Sequence, residues 1–261
     1  MARAWYRVAE RWQSAGRPIM FGVCGRRENT DEQDRIRFVM IAGKKSGTQA
    51  RGRLRRKIIL NSARKLLETH ELDALSLGDV AEDAGVPKGS AYHFFASIAD
   101  VYSELSKQIA EELREDQLQP FTHGVTSWQD VISVGVDRGV AFFNGSTAAR
   151  QLLLGPKAPP EIKRADRGND YDIGRAFQRN ISQYFVLPDM PERDVLFYRA
   201  VEIADLMFCL SVLDHGIITP AMTEEAKKAT CAYLSLYLPT YLPPAVQADL
   251  SVQEVMAAEQ D

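Results

Sequence analysis

From Leu54 onward, apolar residues return every three or four positions, the period of a helix rather than the alternation of a strand. Leu54, Ile58, Ile59, Ala63, Leu66 and Leu67 predict one apolar helix face, with Arg55, Arg56, Arg64 and Lys65 elsewhere. "THELDALS" breaks that pattern, and Ser76 is placed to cap a helix over 77–84 with Asp79 at its third position. Beyond a break at 85–87, Ile98, Val101, Tyr102, Leu105, Ile109 and Leu113 predict a longer helix, capped by Ser97 with Asp100 three residues on. Ser127 with Asp130 opens a further helix to about Phe143, and Ser146 opens one that Gly155 and Pro156 end. The next helix restarts at "KAPPEIKR" and is expected to be interrupted at "ADRGND" before Phe185. Two more are expected over 191–214 and 220–238, before "PTYLPP". No useful strand alternation and no internal repeat occur. The predicted fold class is all-α.

One corner in this pattern asks for more than packing. "AEDAGVPKGSAYHFF", residues 81–95, stops a helix and restarts it within three residues. Ala81 is small enough for a close helix crossing, and Gly85 can take the left-handed conformation that ends a helix. Val80, Val86, Ala91 and Phe95 supply inner apolar contacts, and Pro87 suits the first turn of the new helix. Lys88, Gly89 and Ser90 then stand at a helix N-terminus, where backbone N–H groups favour a phosphate. Those are the demands of a helix-turn-helix, whose second helix is held out to enter a major groove. An ordinary helix–helix corner accounts for Gly85 and Ala81, but not for Lys88, Ser90, Tyr92 and His93 following directly.

Charge strengthens the nucleic-acid reading. The 261-residue chain carries a net charge of −3, yet Lys44, Lys45, Arg51, Arg53, Arg55, Arg56 and Lys57 follow one another with no acidic residue between them. A solubilising segment and a polyanion contact both fit such a run. Residues 1–52 read as an extension with a basic arm, including a short amphipathic stretch around Trp5, Val8 and Trp12. Met40, just before the arm, offers an alternative start. No apolar run approaches the roughly 20 residues of a membrane span, and charges near the N-terminus argue against a signal peptide. Cys24, Cys209 and Cys231 match neither a disulfide framework nor a metal site. The expected location is the cytoplasm.

Residues 55–105, with "LGDVAEDAGV" and "KGSAYHFF" followed by a long connecting helix, resemble the DNA-binding domain of TetR-type transcriptional regulators. The resemblance implies a homodimer, a palindromic double-stranded DNA operator, a C-terminal helical ligand domain, and repression released by a small molecule. By matching position, Ser76 would touch a phosphate, Lys88, Gly89 and Ser90 would lie at the groove, Tyr92 would bind the backbone, and His93 would approach base edges or phosphate. Two positions depart from the family pattern: Ala96 stands where it has Pro, and Ile98 where it has Lys. The basic segment, with Arg53 and Arg55, can supply the phosphate contact that the missing Lys leaves open. The implied organisation is an extension (1–52), a DNA-binding domain (53–113, with the motif at 76–95), a ligand-binding and dimerisation domain (114–245) and a tail (246–261).

In that C-terminal part, the helix over 191–214 is apolar on most sides, as a buried helix is. Ala200, Ile203, Met207 and Leu210, with Ala229, Tyr233 and Tyr237 of the last helix, form a candidate dimer interface. Arg199, Glu202 and Asp205 make a polar stripe, read first as a solvated edge or ion-pair ladder, with the polar groups of a ligand cavity or of the dimer seam as the alternative. Trp128, Phe142, Phe143, Tyr171, Phe177 and Tyr184 are candidates for an apolar effector pocket. No glycine-rich phosphate loop, metal-ligand cluster or nucleophile set is present, and His123 and His215 are isolated. The expectation is therefore a regulator without cofactor, metal or catalysis, and the main alternative is a dimeric architectural DNA-binding protein that answers no ligand.

Overall fold

The computed structural model describes residues 50–120 and 125–245, and among them every regular element is a helix. Helix α1 (50–67) is followed by a single 3-10 turn (Leu72–Ala74), then α2 (Leu77–Asp83), α3 (Lys88–Phe94) and the long α4 (Ile98–Gln117). After α5 (Trp128–Asn144) comes α6, whose first turn (Thr147–Ala149) widens into a π turn (Arg150–Leu154). Helices α7 (Pro160–Tyr184), α8 (Arg193–His215) and α9 (Pro220–Leu234) complete the body. The N-terminal stretch around Trp5, Met40, Lys44, Lys45, His123 and the segment 246–261 lie outside the described residues.

Serine caps set the helix starts. Ser76, Ser97 and Ser127 each accept from the backbone of an Asp three residues on, and each Asp bonds back to the cap. These capping boxes satisfy N–H groups that a helix start leaves without partners. The N-terminal helices then assemble around α1. Ile59, Leu60, Ala63 and Leu67 form its buried line, while Leu54 and Ile58 are exposed, a correction to the expected face. The phase explains it: steps of four from Ile59 follow the core, and Ile58 and Leu54 sit about 100° and about 140° around the cylinder. Arg64 meets Glu112 of α4 through two bonds of 2.7 and 2.8 Å, and Ser62 Oγ donates to Val80 O (3.0 Å) and Asp83 (2.7 Å) of α2.

Helix α7 runs unbroken through "ADRGND", against the expected interruption. Asp166 and Asp170 lie on its buried side with Ile162 and Ile173, while Gly168 faces open space. One exposed helical glycine costs about 1 kcal/mol, less than the packing against α8 returns. That packing is close: a Cβ on Gly174 would stand 2.7 Å from the Tyr198 backbone nitrogen. One hydrophobic core runs from Ile59 to Leu242, so α4 serves both the N-terminal helices and the body. The last helix ends at Leu234, four residues before the expected 238, and Leu238 packs from the turn that follows.

Candidate functional site

The α2–α3 corner closes through two backbone bonds. Val86 N–H donates to Ala81 O (2.9 Å) and Gly85 N–H to Glu82 O (3.1 Å), with Gly85 at φ +62°. This is the C-terminal cap that needs a left-handed residue, and glycine takes that conformation without a Cβ clash. Pro87 is the N-cap of α3, one residue outside the first turn where it was expected. Val80, Ala81, Ala91 and Phe95 are buried and Val86 is half-buried, so the inner contacts fall where the sequence placed them. The Arg56 guanidinium lies 4.6 Å from the centre of the Phe95 ring and pairs with Glu104 of α4, fixing the end of α3.

Held at Ala91 and Phe95, α3 turns its other side outward. Lys88, Gly89, Tyr92 (55% exposed) and His93 all reach solvent, and Ser90 is half-buried. Spacings of one, four and five put the four exposed residues on one helix face. The position of a Cβ on Gly52 lies 3.7 Å from the Phe94 ring, so the basic start of α1 adjoins the end of α3. Arg53 and Arg55 are exposed there, and Arg53 also lines a groove between α1 and α4. Ser76 is less free than the motif suggests. Its N–H and hydroxyl both donate to Asp79 (2.8 and 2.7 Å), so a phosphate would compete with the capping box. Those bonds, chiefly, and the Lys88 charge hold the Asp79 carboxyl below its ordinary pKa.

Two residues that sequence reading missed couple these helices to the body. Glu68, at the end of α1, accepts from Ser146 Oγ (3.0 Å), Thr147 N (2.8 Å) and Ala148 N (3.3 Å), capping α6 from another helix. Gln151 Nε2 donates to Leu67 O (2.9 Å) and His70 O (2.8 Å), and its Oε1 accepts from Leu72 N (3.0 Å). Nothing local announces either role, because each partner lies about eighty residues away.

A cavity of about 50 Å³ lies between α4, α5, α7 and α8. Helix α4 supplies Leu113 and Gln117, and α5 supplies Gly135, Val136, Gly139 and Phe143. From α7 come Asp166, Asp170, Ile173 and Phe177, and from α8 Val201, Ala204, Asp205 and Phe208. Of the six aromatic candidates, only Phe143 and Phe177 line it. The inward face of α7 follows 166, 170, 173 and 177, which leaves Tyr171 beside Tyr198 and Tyr184 beside Phe185. Trp128 is buried elsewhere, its indole N–H on Pro239 O (2.9 Å), and Phe142 packs edge-on to Phe143 without reaching the cavity. Aromatic character selected the candidates, whereas helical phase decides which residues converge.

The cavity's polar side is acidic. Burial first, and neighbouring carboxylates second, push Asp166 up to about 7 and Asp170 well above the ordinary aspartate value. Asp205 is raised by burial too, against the pull of Lys163 and the Cys209 thiol, which donates to it at 3.5 Å. The stripe divides between its two readings: Glu202 forms an ion pair with Arg167 at 2.5 Å, and Asp205 faces the cavity. Among the described residues no cluster of His, Cys, Asp and Glu is arranged to hold a metal ion. No helix among them is long and apolar enough to cross a membrane.

On the far side of α8, Leu206, Leu210, Leu213 (60% exposed) and Ile217 form an outward apolar line, continued by Leu236 and Tyr237 after α9. Ile203, Met207, Ala229 and Tyr233 are half-buried, with Tyr233 edge-on to Tyr237 at 5.5 Å. Ala200 is 0% exposed and turns into the core, a correction to the expected interface. An all-apolar helix gives no moment from which to choose its outward side.

Helices α1 to α3, with α3 held outward and α4 leading into a helical body, define a helix-turn-helix protein with a separate all-helical module. Residues 59–105 match the family model described as bacterial regulatory proteins, tetR family. Residues 126–238 match that described as tetracyclin repressor-like, C-terminal domain. The two matches together take in more than half of the chain, which belongs to the tetR family of transcriptional regulators. Among solved structures, a TetR-family transcriptional regulator from Streptomyces coelicolor is 23% identical. It covers 72% of this chain and 99% of its own, at a TM-score of 0.56. A TetR transcriptional regulator from Rhodococcus sp. RHA1 is 16% identical, over 71% and 98% of the two chains, at 0.53. These likenesses are of fold. No curated protein sequence matches the chain at a significant level.

Proposed function

We propose that this regulator is a dimeric, sequence-specific DNA-binding repressor, released when a small ligand enters the α4–α5–α7–α8 cavity. The observation that carries the reading is the outward face of α3. Lys88, Gly89, Tyr92 and His93 stand clear of the core while Ala91 and Phe95 anchor the helix from behind. Tyr92 and Lys88 bind phosphates, His93 reaches base edges, and the basic α1 start with Arg53 and Arg55 extends the contact along the backbone. Ser76 contributes only where a phosphate outcompetes Asp79. The outward line on α8 and the turn after α9 joins two copies, so that two α3 helices face one palindrome. The domain division at 113/114 falls inside α4, and this continuous helix is the route by which a filled cavity alters the spacing of the two heads. A ligand shifts that equilibrium only by binding the two spacings unequally.

Footprinting on DNA flanking the chain's own gene, at two salt concentrations, tests this. A protected palindrome whose half-sites lie one helical turn or a multiple apart is the expected result. Uniform, salt-sensitive coating would favour an architectural protein, and no protection by folded protein would remove DNA reading from the corner altogether.

A further inference from the structure

The cavity wall is apolar on three sides and electrically unbalanced on the fourth. Asp166, Asp170, Asp205 and Glu202 face or adjoin it, against Lys163 and Arg167. Arg167 is engaged by Glu202, and Lys163 Nζ donates to Leu153 O, with its other near contact at Cys209 Sγ (3.8 Å). Asp170 is 7% exposed and makes neither a hydrogen bond nor an ion pair among the described residues. Buried acids without a partner keep their protons at the expense of charge, and such groups gather where a binding partner of opposite charge can ionise them.

A second observation is independent of the acids. Gln117 is 3% exposed and lines the same cavity; its Nε2 donates to Gly135 O (3.1 Å), yet its Oε1 has no partner. Gln117 Oε1 is an acceptor, and the carboxyls become acceptors only once their protons are given up. Their complement is a donor that carries positive charge. The absence of metal-holding geometry among the described residues speaks against a bare ion, and the Phe143, Phe177 and Phe208 rings suit an apolar body and a cation over their faces.

We propose that the cavity takes an organic cation: an ammonium head between Asp170, Asp166 and Gln117 Oε1, with an apolar body among the phenylalanines. About 50 Å³ holds the head as it stands. The Phe177 ring fills the space that a side chain on Gly135 would take, and it is this ring that the body displaces. The inference rests on the regulator reading above and names the chemical class of its effector. The titratable groups facing the head all come from α7 and α8: Asp166, Asp170, Asp205 and Glu202, with Lys163, Arg167 and Cys209 behind them. Helices α4 and α5 contribute none to the lining.

The test uses the full chain and probes of matched shape: butylammonium and benzylammonium chloride, neutral benzyl alcohol, sodium benzoate, and sodium chloride at equal ionic strength. Thermal shift and calorimetric titration should show stabilisation by the ammonium ions alone. Cation affinity should rise between pH 6 and 8, because binding displaces protons from the raised carboxyls. Asp170→Asn should weaken it at least tenfold, while Asp172→Asn, on the exposed side of α7, leaves it unchanged. Benzyl alcohol or benzoate binding as well as benzylammonium would overturn the proposal, as would no ammonium effect beyond sodium chloride; both are read on the unmodified protein. Footprinting of the same preparation separates the two failures. A protected operator without cation binding sinks this inference alone, whereas an absent operator sinks the regulator reading.

Discussion

At the scale of single residues, the surface of α3 and the interior of α7 obey opposite electrostatics. Lys88 is a solvated cation, and in the proposed reading it displaces counterions from a phosphate. Replacing it with alanine should weaken operator binding and reduce the slope of log affinity against log salt by about 1, with little change in stability. Equal affinity and slope in the variant would take Lys88 off the DNA. Asp166 is the reverse case, a carboxyl whose proton is retained by burial and by like charges around it. Its folded pKa of about 7 lies above the ordinary 3.8, so the native state binds the proton more tightly than the unfolded chain does. The stability this contributes is complete below about pH 4 and is lost as pH rises through about 7. Asp166→Asn cannot titrate there. The melting temperature of the parent, measured against that variant, should therefore fall across this window; a constant difference would show that Asp166 ionises normally.

At the scale of elements, most helix starts were legible because their signals are local. Three Ser–Asp capping boxes and the Gly85 stop depend on residues within three or four positions, and all four are formed. Long-range geometry was not legible. "ADRGND" looks like a break because glycine, asparagine and aspartate favour turns, yet burial of Asp166 and Asp170 against α8 carries the helix through. On α8, where nearly every face is apolar, nothing in the sequence singles out Leu206 and Leu213, and aromatic character does not locate a cavity built along one phase of four helices. Glu68 is the clearest case, an exposed glutamate whose role exists only once α6 arrives. Burial works to raise its pKa, but the bonds from Thr147, Ser146 and Ala148 hold it below the usual carboxylate value. Glu68→Ala should cost about 1 kcal/mol in urea unfolding, the worth of a helix cap. A loss within a few tenths of zero would mean that water replaces the cap without penalty.

At the scale of the whole molecule, the exposed line of Leu206, Leu210, Leu213 and Ile217 is the feature a lone protomer has least reason to keep. If two copies join along this line as proposed, Leu206→Glu combined with Leu213→Glu should leave the helical content intact, convert the dimer to a monomer by light scattering, and lower operator affinity at least tenfold. An unchanged mass would place the dimer contact elsewhere. Gly174→Ala probes the opposite side of α8, where a methyl group would press on the Phe197–Tyr198 backbone; a loss of about 1–3 kcal/mol is expected from such overpacking.

The Gln151 bonds to Leu67, His70 and Leu72 bear on how such a protein can be recombined. A chimera that takes residues 50–117 from a relative imports new backbone at the three positions Gln151 grips and a new residue at Glu68, while α6 keeps its old side chains. If the proposed function holds, such a hybrid reads a foreign operator and no longer answers a ligand, because the joint is cut between partners fitted to one another. Transplants that carry α6 along with the first four helices keep the joint whole, and should retain their response more often than those spliced at the end of α4.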